Sequence, residues 1–238
     1  MNKFLSALAL FCIALLFSGY VHAQAEQQIK AEVQKKLGAN VKIKSVSPTP
    51  VTGLYEVLVG NEVFYTDTSG KYIVQGEIIE LATGKNITEQ RQADLNRIKW
   101  SDLNQGNAIK TVRGNGSRQI AVFSDPNCGY CKRLEKSMQQ LDNVTIHTYL
   151  IPILSADSAQ KSKQIWCSSD PYKAYIDWMI NGTAPNGKSD CSTPLDKNLA
   201  FAKTYGITGT PTLFFTDGSR FPGAVQIADI EKKLGSLK

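Results

Sequence analysis

Hydrophobic residues recur with different spacings along the chain, and the changes in spacing divide it into two parts. In the first part, residues 26–85, apolar positions about one helical turn apart from Ile29 to Leu37 predict a short amphipathic helix that ends at Gly38. The next segments alternate apolar and polar residues, as strands do, and Gly60-Asn61 between two of them predicts a hairpin turn. We therefore predict a small N-terminal α+β domain of one helix and a meander.

This N-terminal domain shows no residues suited to catalysis. Residues 26–85 contain no cysteine, no histidine and no cluster of carboxylates. A sheet this small buries little surface and leaves edge strands that can pair with another chain. We therefore expect the domain to associate rather than to catalyse, and we predict a homodimer formed through it.

Residues 86–104 follow a helical pattern and carry many charges. Asn86 with Glu89 three positions later is typical of a capping box at a helix start. Few apolar residues follow Ile87, so most of this helix is expected to be solvated. We interpret the segment as a linker helix between two domains, and the alternative is an ordinary surface helix of one domain.

Residues 105–238 show the pattern of a C-terminal α/β domain. A strand-like run, Gln119–Ser124, is followed by a helical segment after Cys128 and by a second strand-like run, Val144–Ile151. Strand, helix and strand in succession predict a parallel pair with a crossover helix. Residues 155–194 predict a helical insertion, and a helix, an apolar strand, a hairpin turn and a terminal helix follow it. The predicted fold class of the whole chain is α+β.

The N-terminus has the pattern of a secretory signal peptide. Lys3 precedes an apolar run, Phe4–Phe17, and the small residues Ala23 and Ala25 suit cleavage after either one. The run is shorter than the roughly 20 apolar residues that span a bilayer. We therefore predict a signal peptide over residues 1–25 and a soluble exported protein.

The charge of the chain does not indicate a nucleic-acid partner. The formal net charge is +6, but Lys and Arg form no extended run and are not interleaved with aromatic residues. We interpret the excess positive charge as an ordinary solvated surface.

The stretch Cys128-Gly129-Tyr130-Cys131 carries the chemistry that we predict. The turn residues Asp125-Pro126-Asn127 place Cys128 at a helix N-terminus, where unpaired backbone N–H groups favour thiolate over thiol. Cys131, one turn later, is placed to attack a mixed disulfide held on Cys128. The alternative is half of a structural zinc site, which needs two more ligands, whereas the chain has no second CxxC or CxxH and only two histidines. The spacing therefore predicts a redox pair and no metal.

The remaining cysteines predict a structural disulfide. Cys12 leaves with the signal peptide, and the four that remain are an even number, which indicates disulfides in an exported protein. Because Cys128 and Cys131 form the local pair, Cys167 and Cys191 are left for the other bond. In the chain-entropy model this bond stabilises the fold by roughly 3–4 kcal/mol. A second redox pair is the alternative.

The order of these motifs resembles the thioredoxin superfamily. The resemblance rests on CxxC at a helix start and, later in the domain, on Gly209-Thr210-Pro211-Thr212 before an apolar strand. The signal peptide, the small first domain, the linker helix and Trp166-Cys167 in the insertion complete the pattern. In this combination nearly the whole mature chain is similar to the periplasmic disulfide-bond isomerases of that superfamily.

The resemblance implies roles that the pattern alone does not assign. It implies a thioredoxin-like C-terminal domain with a cis bond between Thr210 and Pro211 beside Cys128, where the backbone contacts an extended substrate. Gly129 and Tyr130 are expected to contact substrate as well. It also implies a periplasmic, V-shaped homodimer with a cleft for misfolded chains, and a membrane thiol reductase that keeps the cysteine pair reduced.

One departure from thioredoxins concerns proton transfer. Thioredoxins place a buried Asp in the strand before the motif, whereas Val122 and Phe123 are apolar here. The nearest acid is Asp125, and the sequence alone assigns no general base.

The predicted activity is the isomerisation or reduction of incorrect disulfides in exported proteins. Cys128 attacks the substrate, and the mixed disulfide either rearranges or is resolved by Cys131. No cofactor is expected besides this redox-active pair. The alternatives are a net disulfide oxidase of the same fold, and a protein that acts mainly as a chaperone or as a thiol metal-binding module.

Overall fold

The computed structural model describes residues 24–237, which belong to two compact units. The first unit runs through Leu95 and the second begins at Asn96. The predicted signal peptide falls almost wholly outside the described residues and stays a prediction. Within residues 24–237, no helix combines the length and the apolar character needed to cross a membrane.

From residue 24 onward, the N-terminal unit contains two helices, a four-stranded antiparallel meander in the order β1-β2-β3-β4, and a separate two-stranded ribbon of β5 and β6. The elements are α1 (described residues 24–37), β1 (Ile43–Pro48), β2 (Leu54–Val59), β3 (Glu62–Asp67), β4 (Ile73–Val74), β5 (Ile79–Glu80), β6 (Lys85–Asn86) and α2 (Ile87–Leu95). The predicted helix and meander are confirmed. Gly60, at φ +62°, makes the turn between β2 and β3.

The core of this unit forms between α1 and one face of the meander. Ile29 and Val33 of α1 are buried against Ile43, Val46 and Val57 of the first two strands. The apolar residues spaced by one helical turn in α1 therefore pack on the apolar residues that alternate along the strands.

The helix α2 is shorter than the linker helix predicted over residues 86–104. Asn86 caps it as expected, since its Oδ1 accepts a hydrogen bond from the Glu89 amide at 2.9 Å. The helix nevertheless ends at Leu95, because Ile98 and Leu103 are buried in the core of the second unit. The later part of the predicted linker thus belongs to the C-terminal fold.

Polar contacts attach α2 to the N-terminal unit. The buried Thr88 hydroxyl is hydrogen-bonded to the Tyr65 hydroxyl and accepts from the Ile78 amide at 2.8 Å. The Arg91 guanidinium donates to both carboxylate oxygens of Glu56 at 3.1 Å. The helix is therefore part of the first unit and is not a free connector.

The C-terminal unit is built on a five-stranded sheet in the order β11-β10-β8-β9-β7. Its elements are β7 (Ile109–Arg113), β8 (Arg118–Ser124), α3 (Gly129–Met138), β9 (Val144–Leu150), α4 (Ala156–Trp166), α5 (Pro171–Met179), α6 (Leu195–Thr204), β10 (Thr212–Phe215), β11 (Arg220–Pro222) and α7 (Ile227–Ser236). Strands β8 and β9 are parallel and are joined through α3, as the sequence predicts, and the other pairs are antiparallel.

The two faces of this sheet carry different apolar clusters. Along β8, Ile120 and Val122 face the cluster that includes residues of α3 and α7, while Ala121 and Phe123 face the cluster that includes Ala202 of α6. Alternation along a strand covered on both faces explains the nearly continuous apolar sequence of β8.

The insertion between β9 and α6 contributes a third cluster. Ile165 of α4 and Tyr175 and Met179 of α5 are buried with Cys128 and Cys131. The fold therefore places the insertion next to the predicted redox pair.

Candidate active site

Cys128 is the N-cap of α3. Its amide donates to the Asp125 carbonyl at 3.0 Å, and the Asn127 amide donates to Asp125 Oδ1 at 2.8 Å, so the predicted turn starts the helix. The Cys131 amide donates to Cys128 Sγ at 3.3 Å. The Cys128 sulfur thus accepts a hydrogen bond from the first turn of the helix that it caps.

The predicted substrate-binding residues surround Cys128. The Thr210–Pro211 peptide bond is cis, and Cys128 Sγ lies 3.2 Å from the Thr210 carbonyl oxygen. Gly129 and Tyr130 lie in the first turn of α3, where the Tyr130 side chain is 60% exposed. Of these four residues, Thr210 contacts the sulfur and the other three are its neighbours or those of Cys128 in the chain, and their contact with substrate stays a prediction.

Cys131 lies deeper than Cys128, at 2% against 5% exposure. Burial raises the pKa of the Cys131 thiol to about 12, and the neighbouring Cys128 acts in the same direction. Hydrogen bonds from the Asp125 backbone and the Ser124 side chain act in the opposite direction, since they stabilise the thiolate. Cys131 is therefore a thiol at neutral pH and needs help to become a nucleophile.

Asp125 holds two loops together beside the helix start. Besides the Asn127 amide, its carboxylate accepts hydrogen bonds from the amides of Ile153 at 2.9 Å and Leu154 at 3.0 Å. The side chain is fully buried. The acid nearest to the CxxC motif is thus satisfied by backbone donors of its own turn and of the loop after β9.

Sequence reasoning missed three buried polar residues near the cysteines. Glu135 is buried one turn beyond Cys131 on α3, and burial raises the pKa of its carboxyl to about 7 although Arg113 and Gln139 lower it. Ser124, at the end of β8, shares a hydrogen bond of 2.9 Å with Tyr175 of α5. The four-residue spacing of Cys131 and Glu135 could have indicated that both lie on the same face of α3. The pairing of Ser124 with Tyr175 is visible only in the fold.

Within the described residues, neither the predicted disulfide cysteines nor the histidine of β9 makes a hydrogen bond to Cys128 or Cys131. Cys167 and Cys191 form a disulfide across the insertion, with Cα atoms 5.7 Å apart. His147 is buried in β9, where its Nε2 lies 3.3 Å from Gln119 Oε1, and burial lowers its pKa. Among the described residues, no group of three or more His, Cys, Asp or Glu side chains is arranged to hold a metal ion.

Two protein families match successive parts of the chain. Residues 20–89 match the family described as disulfide bond isomerase protein N-terminal domain. Residues 105–238 match the family described as thioredoxin-like domain. The two matches correspond to the two compact units.

Individual relatives agree with this division. The probable thiol:disulfide interchange protein DsbC of Bordetella pertussis is 41% identical over 192 residues, which cover 81% of this chain and 68% of the relative. The DsbC of Escherichia coli K12 is 29% identical over 223 residues, covering 90% of this chain and 89% of the relative. The crystal structure of a disulfide interchange protein from Neisseria gonorrhoeae is 38% identical, with a TM-score of 0.54 over 56% of this chain and 96% of that one. The chain therefore belongs to the DsbC-type thiol:disulfide interchange proteins, with a thioredoxin-like C-terminal domain.

Proposed function

We propose that the protein isomerises and reduces incorrect disulfides in exported proteins through a mixed disulfide on Cys128. One observation carries this proposal: Cys128 caps α3 with its sulfur beside both the Cys131 amide and the Thr210 carbonyl. The first contact directs a backbone N–H at the attacking sulfur, and the second supports the proposal that the backbone of the Thr210–Pro211 loop contacts the bonded substrate.

The reaction is a series of thiol–disulfide exchanges. The Cys128 thiolate forms a bond to one sulfur of a substrate disulfide, and the other substrate sulfur leaves as a thiolate. If that thiolate attacks another disulfide of the substrate, a different substrate thiolate is released, and its attack on the mixed disulfide forms a substrate disulfide and frees Cys128 as the thiolate. If Cys131 attacks instead, the substrate leaves reduced and a Cys128–Cys131 disulfide remains.

The remaining partners follow from this cycle. After each net reduction the pair must be reduced again, and we propose a DsbD-like membrane thiol reductase as the electron donor. No cofactor is needed besides the two sulfurs. Thr210, Pro211, Gly129 and Tyr130 are the proposed substrate contacts, since they border Cys128.

The central test is the reactivation of an oxidised ribonuclease with scrambled disulfides. The wild type should restore ribonuclease activity, and Cys128→Ser should not, because no mixed disulfide can form. A double variant, Cys167→Ser with Cys191→Ser, is the matched control and should stay active. Reactivation by Cys128→Ser at the wild-type rate would sink the proposal.

The resting redox state separates an isomerase from the alternative oxidase. Cells are quenched with acid, free thiols are alkylated, and the protein is analysed by mass spectrometry. Free Cys128 and Cys131 beside a bonded Cys167–Cys191 pair support the isomerase. A Cys128–Cys131 disulfide as the resting form would instead indicate an oxidase.

We also propose that the protein is a homodimer assembled through the N-terminal unit, with a cleft that gives it chaperone activity. Large apolar side chains on or beside β4 and β5 are exposed: Tyr72, Ile73, Val74, Ile79 and Leu81. Such a patch, beside a two-residue edge strand, is typical of an association surface. The match to a disulfide isomerase N-terminal domain supports the same assignment.

Light scattering on the mature protein tests the dimer. Ile73→Asp should lower the mass to that of a monomer, whereas Val112→Asp, at an exposed apolar residue of the other unit, should not. A monomeric wild type would remove the dimer from the proposal.

The proposed periplasmic location and signal peptide are tested in the same preparation, since N-terminal sequencing of exported protein should show cleavage after Ala23 or Ala25.

A further inference from the structure

A pair of buried hydroxyl groups lies beside the resolving cysteine. The Ser124 hydroxyl at the end of β8 and the Tyr175 hydroxyl of α5 are 2.9 Å apart, and both residues are buried. Buried hydroxyl groups are costly unless they are hydrogen-bonded, so each of these two groups satisfies the other.

The hydroxyl pair lies beside Cys131. The Tyr175 side chain packs in the same apolar cluster as Cys131, and the Ser124 hydroxyl bonded to it acts to lower the pKa of the Cys131 thiol. Complete burial raises the pKa of Tyr175 well above its usual range, so its phenol keeps its proton. A phenol that donates to Ser124 leaves the Ser124 proton free to point at Cys131.

We propose that Ser124 and Tyr175 are positioning residues for the resolving step, in which Tyr175 orients the Ser124 hydroxyl to donate to the sulfur of Cys131. This inference rests on the proposed function. In the step itself, Cys131 loses its proton and its sulfur bonds to Cys128 Sγ. The bond between Cys128 and the substrate sulfur breaks, and that sulfur leaves with the electron pair and takes up a proton. Donation from Ser124 stabilises the charge on Cys131 while this happens.

The hydroxyl pair therefore influences whether the substrate is reduced or its disulfides rearrange. A slower attack by Cys131 lengthens the life of the mixed disulfide and gives the substrate time to rearrange. The other ionisable groups around Cys131 come from elements packed on it: Cys128 and Glu135 of α3, and Asp125 after β8. Arg113 of β7 acts on Glu135 from the sheet edge.

The two chemical steps can be followed in one trace with reduced protein and an aromatic disulfide such as Ellman's reagent. Attack by Cys128 releases the first coloured thiolate, and attack by Cys131 on the mixed disulfide releases the second. In Ser124→Ala we expect the second phase to slow about tenfold and its pH profile to move to higher pH, because a hydrogen bond to a charged sulfur is lost. In Tyr175→Phe we expect about threefold slowing of the same phase, since only the orientation of Ser124 is lost. The first phase should change by less than about twofold.

Two further variants separate positioning from general damage. Ser124→Thr retains a hydroxyl and should restore the second phase, and Tyr172→Phe removes a hydroxyl elsewhere on α5 and should leave both phases unchanged. If Ser124→Ala does not fold, Tyr175→Phe, which deletes one oxygen atom, carries the test. A second phase at the wild-type rate in Tyr175→Phe, or equal slowing of both phases, would overturn the inference. Absence of the first phase in the wild type would instead count against the proposed function.

Discussion

The two cysteine pairs of the C-terminal unit have different backbone surroundings. Cys128 and Cys131 lie in one turn at a helix start and are buried. Cys167 caps the end of α4 and is bonded to Cys191, which is exposed in a loop. The pair that we propose to be reactive is thus the less exposed of the two.

This difference shows that exposure alone does not decide the role of a cysteine. The helix N-terminus directs the Cys131 N–H at the Cys128 sulfur, whereas Cys167 lies at a helix C-terminus, where carbonyl groups are presented. The two pairs are therefore separated by their positions at opposite helix ends. Substitutions in each pair, and of Glu135 one turn beyond Cys131, sharpen this comparison, from the largest expected effect to the smallest.

Cys131→Ser should abolish net reduction of disulfides and leave isomerisation in place. Net reduction of a model disulfide should fall at least about 1000-fold, because resolution by a second molecule replaces an attack within the same helical turn. Isomerisation, which needs Cys128 alone, should continue. The measurement is non-reducing electrophoresis after an acid quench, in which the variant accumulates mixed disulfides. Wild-type turnover without trapped mixed disulfide would contradict the assignment of Cys131.

Removal of the insertion disulfide should change stability and leave reactivity intact. With Cys167→Ser and Cys191→Ser together, we expect the free energy of unfolding of the C-terminal unit to fall by about 3 kcal/mol. All three tryptophans lie in this unit, so urea unfolding followed by tryptophan fluorescence reports on it. The alkylation rate of Cys128 is the control and should be unchanged. A large change in that rate at equal folded fraction would mean that the two pairs are not independent.

Glu135→Gln should change the pH dependence of stability. The pKa of Glu135 is raised to about 7 by burial, so its protonated form stabilises the fold below its ordinary pKa, and this contribution is lost as pH rises through about 7. Between pH 5 and pH 8 the wild type should therefore lose about 2 kcal/mol that the variant keeps. Urea titrations of both proteins at the two pH values measure this difference, and Asp196→Asn, at an exposed carboxylate, is the control. Parallel pH profiles for wild type and variant would show that Glu135 ionises normally.

Local patterns predicted the parts of the fold that depend on near neighbours. The hairpin at Gly60-Asn61, the parallel strands β8 and β9 and the helix start at Cys128 each follow from turn chemistry, periodicity or the handedness of crossovers. Strand β7 was not predicted, because its apolar residues Ile109 and Val112 are three apart and point to opposite faces.

Other features depend on contacts between distant residues and were beyond the sequence. The end of α2 at Leu95 is decided by the burial of Ile98 in another unit's core. The turn between β10 and β11 also depends on a contact with Ile98. A Cβ on Gly218 would lie 2.1 Å from the Ile98 carbonyl oxygen, so this position requires glycine. The pairing of Ser124 with Tyr175 joins a strand to an insertion helix that no local pattern relates.

The three backbone hydrogen bonds accepted by the Asp125 carboxylate have a consequence for the cost of binding. Ile153 and Leu154 expose apolar side chains, at 38% and 55%, yet their amides are fixed to a buried carboxylate next to the reactive turn. Ordering a backbone residue costs about 1–2 kcal/mol of conformational entropy, and here folding has already met that cost. A partner that packs on these two side chains would therefore lose its own freedom but not that of the loop, and this preorganisation lowers the entropic cost of binding.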